Sequence, residues 1–261
     1  MSAKISVIIA TLNSESYLEE AIRSVLNNNA NADIEIIIID GGSVDSTIDI
    51  IQKYEANIAY WETGKDSGIA DAFNRGVSKS SGDIIAILNS DDYWCEDTIV
   101  AVNEGITRNP QADIYYGKIR YINIANNYEY TLQPDITKMH IRMNIFHPAI
   151  FVRKACYQSI GLYNTDYKYA MDSEWCHRAI ENNCKFEYLD KTLANMRLEG
   201  ASDIHYVDAL REYKKSVIDH HLTSKFTATA YYLLLLLRKK LAKLSGISWI
   251  LKYRYRLFYS E

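Results

Sequence analysis

Residues 84–92 read IIAILNSDD, and this stretch decides the fold of the chain. Five consecutive apolar residues predict a strand of a parallel sheet that is buried on both faces, and the Asn-Ser-Asp-Asp cluster predicts a polar turn at its end. Adjacent carboxylates at the end of a buried strand repel each other and lose hydration, so we expect a hard divalent cation with oxygen ligands there. Open α/β sheets bind ligands at this end of their strands. The alternative is that the turn only caps the helix that follows.

The residues before this stretch repeat a pattern of strand followed by helix. Strands are predicted at residues 5–9, 34–39 and 57–61, and each precedes a segment with helical periodicity. This alternation builds a doubly wound parallel sheet with right-handed crossovers. The strand ends should therefore share one edge of the sheet. The polar residues expected along that edge are Thr11, Asn13, Asp40, Asp91 and Asp92.

Composition places the chain among folded globular proteins. It has 261 residues, of which 48% are hydrophobic and only three are proline, so it can bury a full core. The four cysteines have no CxxC spacing, which indicates a reducing compartment and argues against a zinc site. The sequence has no signal-peptide pattern and no apolar stretch of transmembrane length. We therefore expect a cytoplasmic protein.

Four motifs occur in order along the first 92 residues. They are VIIATLN at 7–13, IIDGGSVDST at 38–47, DSGIADAFNRG at 66–76 and LNSDD at 88–92. Together they resemble the family 2 glycosyltransferases of GT-A fold, and the resemblance covers residues 4–205. It implies an α/β domain at 1–205, with a Rossmann-like, mostly parallel sheet and flanking helices. A C-terminal helical tail at 206–261 would follow it.

The resemblance implies a nucleotide-diphospho sugar bound at the strand ends. Thr11 and Asp40 would contact the base and ribose, and a carboxylate can accept hydrogen bonds from uracil or from ribose hydroxyls. Lys65 and Asp71 are the polar candidates in the wall around the donor; Arg75 is either a third or an exposed helix cation. The residues expected to bind the donor are Thr11, Asn13, Asp40, Lys65, Asp71, Asn89, Ser90 and Arg197.

The metal motif of the family is commonly Asp-x-Asp, and this chain has Asn89 at the first position. An amide contributes no charge, so Asp91 is expected to carry most of the Mn²⁺ or Mg²⁺ binding, with Asp92 in support. The diphosphate of the donor and water would complete the coordination shell.

A second group of polar residues occurs in MDSEWCHRAI at 171–180. The pattern predicts a helix that begins near Asp172, which is then either its cap or a carboxylate of its first turn. The resemblance matches here with Met171 in place of the usual Glu, and it implies that Asp172 is the general base of an inverting enzyme. Glu174 ranks second for that role.

The second half of the chain contains further candidates, and two of them, His147 and His205, have a plain structural alternative. His147 precedes a proline in an extended segment and either touches an acceptor or phosphate or is a structural histidine. Similar sequences place a loop over the diphosphate near residues 194–202, which would bring Arg197 and Ser202 to the phosphates. His205 is either a metal ligand or a surface histidine.

The tail is basic and aromatic. Residues 225–261 contain eight Lys or Arg and one Glu, a net charge of +7. Such a composition is typical of helices that lie in a membrane interface. The alternative is a helical hairpin packed on the domain or on a second copy in a homo-oligomer. No basic segment adjoins the cleft, so nucleic acid is not an expected partner.

These inferences lead to one main hypothesis. The chain is expected to be an inverting hexosyltransferase (EC 2.4) that moves a sugar from a UDP-sugar to a glycan or polyprenyl-linked glycan, as in synthesis of a bacterial surface polysaccharide such as O-antigen or capsule. It would work in the cytoplasm or at the inner face of the cell membrane. One alternative is a metal-dependent sugar nucleotidyltransferase, although residues 10–14 lack the glycine and cation of its phosphate loop. The other is a non-catalytic nucleotide-sugar or membrane-surface module, which Asn89 and Met171 would favour.

Overall fold

A nine-stranded sheet with helices on both faces forms the body of the molecule. The computed structural model describes residues 3–28, 32–123, 128–197 and 205–244. The strands are β1 (Ile5–Thr11), β2 (Ile34–Asp40), β3 (Tyr60–Thr63), β4 (Ile84–Asn89), β5 (Tyr93–Trp94), β6 (Ile114–Asn123), β7 (Tyr128–Leu132), β8 (Ile150–Arg153) and β9 (Phe186–Arg197). The helices are α1 (Leu18–Asn27), α2 (Thr47–Lys53), α3 (Ile69–Lys79), α4 (Thr98–Arg108), α5 (Lys154–Ile160), α6 (Met171–Glu181), α7 (Tyr206–Asp219) and α8 (Lys225–Leu244).

The sheet has the strand order β3-β2-β1-β4-β8-β6-β9-β5, with β7 paired to β6. The first four strands are all parallel, and β6 and β9 are parallel to each other. Strand β8 runs antiparallel between β4 and β6. The prediction of an α/β fold with a Rossmann-like parallel half is therefore confirmed.

Strand β1 shows why the first half forms a layered fold. Ile5, Val7 and Ile9 point into one hydrophobic layer, whereas Ile8 and Ala10 point into the layer on the opposite face. A strand with helices on both sides must be apolar on both sides. Burial of each isoleucine contributes about 1.5–3 kcal/mol, so the two layers fix the position of the strand ends.

The sequence predicts a turn at Gly117 and a hairpin after it, because glycine commonly ends a strand, and the predicted turn is wrong. Strand β6 continues through it to Asn123, and its register with β9 shifts on both sides of Lys118. A Cβ at Gly117 would lie 2.5 Å from Leu193 Cδ1. Glycine is needed here because β9 approaches closely, not because the chain reverses. The hairpin expected after it is confirmed by the antiparallel pairing of β6 with β7.

Three predicted boundaries also shift. The strand expected at 57–61 begins at Tyr60, because Glu55–Asn57 form a 3₁₀ turn. The segment at 147–153 is not extended throughout, since His147–Ala149 form a second 3₁₀ turn before β8. Strand β9 extends to Arg197, where the sequence suggested a loop from residue 194. Ser202 lies outside the described residues.

The helical prediction for the tail is confirmed for residues 206–219 and 225–244. Helix α8 packs on α7, where Lys214 Nζ lies 4.5 Å from the centroid of the Tyr232 ring. Residues 245–261 lie outside the described residues, and the division of the chain after residue 205 stays a prediction. No helix within the described ranges is long and apolar enough to cross a membrane.

Candidate active site

The ends of the parallel strands lie in register at one edge of the sheet. Thr11 pairs with Asp40, Asp40 pairs with Thr63, and Ala10 pairs with Asn89. The common edge expected from the sequence is therefore present. The hydroxyl of Thr11 is buried there and has no hydrogen-bond partner within the described residues.

Asp40 is fully buried at this edge and holds the turn that follows β2. Its Oδ2 accepts hydrogen bonds from the backbone N–H groups of Gly42 at 3.0 Å and Ser43 at 2.9 Å. The same oxygen accepts from the Thr63 hydroxyl at 2.6 Å. Gly42 has a φ of +92°, which a side chain would disfavour. Asp40 thus shapes the turn after β2, and its contact with a base or ribose stays a prediction.

The loop after β1 is tied to the loops after β2 and β4. Asn13, with a φ of 49°, accepts a hydrogen bond from the Val44 N–H at 2.9 Å. The hydroxyls of Ser14 and Ser90 lie 2.7 Å apart. Two residues of the expected donor set therefore build the rim of the edge through these contacts. Their roles toward a ligand stay predictions.

The other predicted wall residues lie around α3. Lys65 is exposed, and Asp71 accepts a hydrogen bond from the Ser67 N–H at 3.2 Å. Arg75 Nε forms an ion pair with Glu62 Oε1 at 2.8 Å, so Arg75 is a paired cation beside β3. Of these residues, Lys65 presents its cation to solvent near the turn of Gly42.

The two aspartates of the acidic turn differ in burial. Asp92 is 1% exposed, and its two oxygens accept from the backbone N–H of Arg197 at 3.1 Å and from Asn89 Nδ2 at 3.3 Å. Burial, together with the neighbouring charge of Asp91, raises the pKa of Asp92 to about 7. The Asp91 side chain is only half-buried, and no hydrogen bond to its carboxylate is present within the described residues. Asp91 is therefore the better placed of the two to meet a ligand.

The acidic turn fits a divalent cation that takes few protein ligands. The described residues contain no group of three His, Cys, Asp or Glu side chains that could hold a metal. They do provide the Asp91 carboxylate and the Asn89 Oδ1 atom, which is buried and has no hydrogen-bond partner in the same part of the chain. Carboxylate and amide oxygens suit Mg²⁺ and Mn²⁺, which commonly complete their shell with phosphate and water.

Arg197 ends β9 beside the same turn. Its guanidinium donates a hydrogen bond to the carbonyl oxygen of Asp91 and pairs with Glu20 Oε2 at 2.5 Å. The guanidinium carbon lies 4.4 Å from the ring centroid of Tyr17 and 5.1 Å from that of Tyr93, which are cation–π distances. Arg197 thus lies beside the acidic turn, with its cation held by a carboxylate and two rings, and its contact with a diphosphate stays a prediction.

Asp172 forms the second half of the site, at the start of α6. Its Oδ2 accepts a hydrogen bond from His147 Nδ1 at 3.2 Å, and its Oδ1 accepts one from the Ser173 N–H at 2.7 Å. The side chains of His147 and Asp172 are 15% and 19% exposed. The structure decides between the two sequence alternatives: the N-cap of α6 is Ala170, so Asp172 is a carboxylate of the first turn. One of its oxygens binds a first-turn N–H, and the other binds the imidazole.

The electrostatics of this pair favour an ionised carboxylate. Burial raises the pKa of Asp172, but the hydrogen bond and charge of His147 outweigh it, and the pKa lies below its ordinary value. Burial lowers the pKa of His147, but Asp172, followed by Asp92 and Asp91, raises it above its ordinary value. Trp94, two residues beyond Asp92, donates a hydrogen bond from Nε1 to the carbonyl oxygen of Pro148 at 3.0 Å. The acidic turn therefore lies beside the segment of His147, which binds Asp172.

Glu174 faces away from this side. Its carboxylate is buried and binds Arg178 through two hydrogen bonds of 3.0 and 2.9 Å. It also binds His220 Nε2 at 3.1 Å, just beyond α7. The second-ranked candidate for a base is thus a structural ion pair, because successive positions of a helix point in different directions. His205 stacks on Tyr169 with ring centroids 4.6 Å apart.

The pairing of His147 with Asp172 is the feature that sequence reasoning did not find. The two residues are 25 positions apart, and only the Pro148 that follows His147 signalled a fixed turn. The site thus consists of a polar sheet edge, an acidic turn that fits a cation, and a carboxylate with a lowered pKa that is held by a histidine. These parts define the class of enzymes that transfer a group from an activated, phosphate-bearing donor to an alcohol.

The comparisons with known proteins identify the family. Residues 6–220 match the family model described as glycosyl transferase family 2. A "PGL/p-HBAD biosynthesis glycosyltransferase" of Mycobacterium bovis is 32% identical over 181 residues, which cover 68% of this chain and 70% of that protein. An uncharacterized glycosyltransferase of Mycobacterium tuberculosis is 28% identical over 181 residues, 67% of this chain and 68% of that protein. The chain belongs to glycosyl transferase family 2.

Two solved structures share its fold. Staphylococcus aureus TarS 1–349, in complex with UDP-GlcNAc, superposes with a TM-score of 0.65 at 18% identity, over 89% of this chain and 71% of that one. The mannosyltransferase PcManGT of Pyrobaculum calidifontis, in complex with GDP-Man and Mn²⁺, gives a TM-score of 0.67 at 16% identity, over 100% of this chain and 84% of that one. The predicted GT-A fold and the predicted glycosyltransferase class are confirmed.

Proposed function

We propose that this protein is an inverting, metal-dependent hexosyltransferase that uses a UDP-sugar and Asp172 as its general base. The observation that carries the proposal is the position of Asp172: it is ionised by pairing with His147 and lies on the same side as the acidic turn. A site with one ionised carboxylate opposite the leaving group suits a single displacement, which inverts the anomeric configuration. The solved structures of similar fold bind UDP-GlcNAc or GDP-Man, which supports a nucleotide-sugar donor.

The reaction follows from this arrangement. The Asp172 carboxylate takes the proton of the acceptor hydroxyl while that oxygen forms a bond to the anomeric carbon. The bond from the anomeric carbon to the diphosphate breaks, and its electron pair leaves with the nucleoside diphosphate. The products are a glycoside of inverted configuration, the free nucleotide and protonated Asp172, which returns the proton to water.

The other residues bind and orient. Thr11, Asp40 and the rim residues Asn13 and Ser90 would position the nucleotide at the strand ends. Lys65, Asp71 and Arg197 would contribute polar contacts to the donor, together with Asn89. Mn²⁺ or Mg²⁺ held by Asp91, with Asp92 in support, would neutralise the charge that develops on the leaving diphosphate.

A screen of nucleotide sugars for protection against thermal unfolding tests this function. A ligand that binds only the folded state raises its stability by mass action. We expect a UDP-sugar, with Mn²⁺ or Mg²⁺ present, to raise the melting temperature more than UDP or the metal alone. No shift with any nucleotide sugar would overturn the proposal. Equal protection without turnover, in a donor hydrolysis assay with and without Mn²⁺, would support the non-catalytic module instead.

The acceptor is proposed to be a glycan or polyprenyl-linked glycan at the cytoplasmic face of the cell membrane, in surface-polysaccharide synthesis. Phe226, Leu233 and Leu237 are 85%, 57% and 53% exposed and recur at helical spacing along one side of α8. Exposed Lys225 and Lys240 flank this stripe. Helix α8 contains no acidic residue, so two copies packed through it would bring like charges together, whereas an anionic bilayer would complement it.

Sedimentation with lipid vesicles tests the membrane contact. We expect binding to phosphatidylglycerol vesicles and little binding to phosphatidylcholine vesicles, since the attraction includes a charge component. The double variant Leu233→Glu, Leu237→Glu should lose it. Val100→Glu, at a residue of α4 that is 48% exposed, is the matched control. Equal binding by both variants would remove α8 from this role.

A further inference from the structure

Glu212 of α7 binds the chain immediately before the helix that carries Asp172. Its carboxylate accepts hydrogen bonds from the backbone N–H groups of Lys168 at 3.0 Å, Tyr169 at 2.8 Å and Ala170 at 2.9 Å. Hydrogen bonds to an ionised acceptor are shorter and stronger than neutral ones. One side chain of the tail therefore fixes three successive peptide groups that lie more than 40 residues earlier.

Helix α6 needs such a partner because its own sequence does not cap it. Its N-cap residue is Ala170, which has no side-chain oxygen, and no side-chain cap hydrogen bond is present there. In an ordinary capping box, a Glu or Gln three residues into the helix binds the N-cap N–H. The residue at that position here is Ser173, which is neither Glu nor Gln, and its own N–H binds Asp172. Glu212 supplies the missing acceptor from a different helix.

The neighbouring contacts hold the same segment against α7. Lys215 Nζ lies 4.8 Å from the centroid of the Tyr167 ring. Farther along α6, His177 Nδ1 lies 2.7 Å from the Ser216 hydroxyl. Lys215 and Ser216 follow Glu212 in α7, so the segment before α6 and α6 itself are both held against α7.

From these contacts we infer that Glu212 is a positioning residue for Asp172, so that the first helix of the tail forms part of the catalytic unit. Asp172 is two residues beyond the last N–H that Glu212 binds. A change in the entry of the chain into α6 displaces this carboxylate from His147 and from the acceptor, and small displacements of a catalytic group cost rate. This inference rests on the proposed role of Asp172 as base.

The variants Glu212→Gln and Glu212→Asp test it. Gln keeps the size of the side chain and one acceptor oxygen but removes the charge. Asp keeps the charge, but its side chain is one methylene shorter, so the carboxylate lies farther from the N–H groups that Glu212 binds. Asp208→Asn is the matched control, because Asp208 lies exposed on the same helix and pairs only with Arg211 among the described residues. Circular dichroism and the melting temperature establish that each protein is folded.

The kinetic readout is the separation of kcat from KM. With a UDP-sugar and Mn²⁺, we expect the Glu212 variants to lose about tenfold or more in kcat, with a donor KM within about twofold of the wild type, since loss of an interaction made in the transition state lowers kcat. The control should match the wild type. Wild-type kcat in both Glu212 variants would overturn the inference. A fall in the folded fraction that accounts for the whole loss of activity would do so as well.

Amide hydrogen exchange separates this inference from the proposed function. In Glu212→Gln and Glu212→Asp, the amides of Lys168, Tyr169 and Ala170 should exchange faster than in Asp208→Asn, because their acceptor is weakened or withdrawn. Unchanged exchange overturns the positioning role even if the enzyme is active. Absence of donor binding and turnover in the wild-type protein refutes the proposed function, and the exchange rates then decide the contact by themselves.

Discussion

His177 lies within α6 and His147 binds the first turn of α6, and the pKa values of these two histidines shift in opposite directions. His177 is fully buried, its Nδ1 lies 2.7 Å from the Ser216 hydroxyl, and its Nε2 donates to the Met139 carbonyl oxygen at 3.1 Å. Burial lowers its pKa to about 3. The His147 side chain is 15% exposed; burial lowers its pKa too, but Asp172 raises the pKa above the ordinary value. Burial alone therefore does not distinguish the two; the partner does.

The difference between the two histidines shows that the partner of a buried group decides whether it favours the charged form. A buried histidine with neutral partners stays neutral and stabilises the packing of α6 on α7. A histidine with a carboxylate partner has a raised pKa, and it lowers the pKa of that carboxylate. Such a pair favours charge at a cost in desolvation free energy, which is expected where chemistry needs the charge. The comparison thus separates a structural side of α6 from the side proposed to be catalytic.

Removal of the carboxylate should have the largest effect. Asp172→Asn keeps the shape of the side chain but cannot accept a proton, so we expect kcat to fall by about 10²- to 10⁴-fold. Donor binding, measured by thermal shift, should persist because Asp172 does not belong to the strand edge. Asp166→Asn, at an exposed residue before α6, is the control. Full activity in Asp172→Asn would exclude Asp172 as the base.

The acidic turn should show the next largest effect. Loss of groups one step beyond a metal typically costs about 10- to 100-fold in affinity, so Asp91→Asn should weaken Mn²⁺ activation by at least that factor. The measurement is the Mn²⁺ concentration for half-maximal turnover. The control is Asp97→Asn, an exposed residue at the start of α4. An unchanged metal dependence would place the cation elsewhere.

The third effect concerns pH and tests the His147 side of the comparison. Loss of the cation in His147→Gln raises the pKa of Asp172, because burial then acts without its opposing partner. The ionised base is lost as pH falls through its pKa, so the acid limb of the kcat profile should move to higher pH. Activity at pH 8 should change little by comparison. His140→Gln, an exposed histidine, should leave the profile in place, and a shift there or none in His147→Gln would contradict this account.

The smallest effect concerns the structural side. The folded pKa of His177 is about 3, against an ordinary value of 6.5, so protonation favours the unfolded chain. This contribution to stability is complete above pH 6.5 and is lost as pH falls toward 3. Between pH 7 and pH 5 the loss is about 2 kcal/mol in the free energy of unfolding. His177→Gln should remove that part of the pH dependence, measured by urea unfolding, while kcat in the folded protein stays unchanged. An identical pH dependence in the variant would show that the pKa of His177 is the same in the folded and the unfolded chain.

The sequence predicted the features that depend on short-range pattern. The apolar segments at 34–39 and 84–88 are predicted strands, and segments of helical periodicity lie between such strands along the chain. The parallel sheet and its common edge therefore follow from local sequence patterns. Asp172 was placed at a helix start for the same reason. The resemblance of four ordered motifs then supplied the family. These predictions required no knowledge of contacts between distant segments.

The features that the sequence did not predict depend on distant segments. Glycine is common in turns, but the presence of glycine at position 117 is explained by the close approach of Leu193 from β9. The cation–π contacts of Arg197 with Tyr17 and Tyr93 also join distant segments. Glu212 acts more than 40 residues away from the segment that it binds. Such pairings become visible only when the chain is folded, because sequence spacing carries no signal for them.

Titration of the imidazoles by NMR tests the central claim most directly. The chain has six histidines, and His147→Gln and His177→Gln assign the two signals. The account predicts that His147 titrates above pH 6.5, that its pKa falls in Asp172→Asn, and that His177 stays neutral down to pH 5. A His147 signal that titrates below pH 6.5 and ignores Asp172→Asn would show that the two residues form no ion pair, and the assignment of Asp172 as the base would be contradicted.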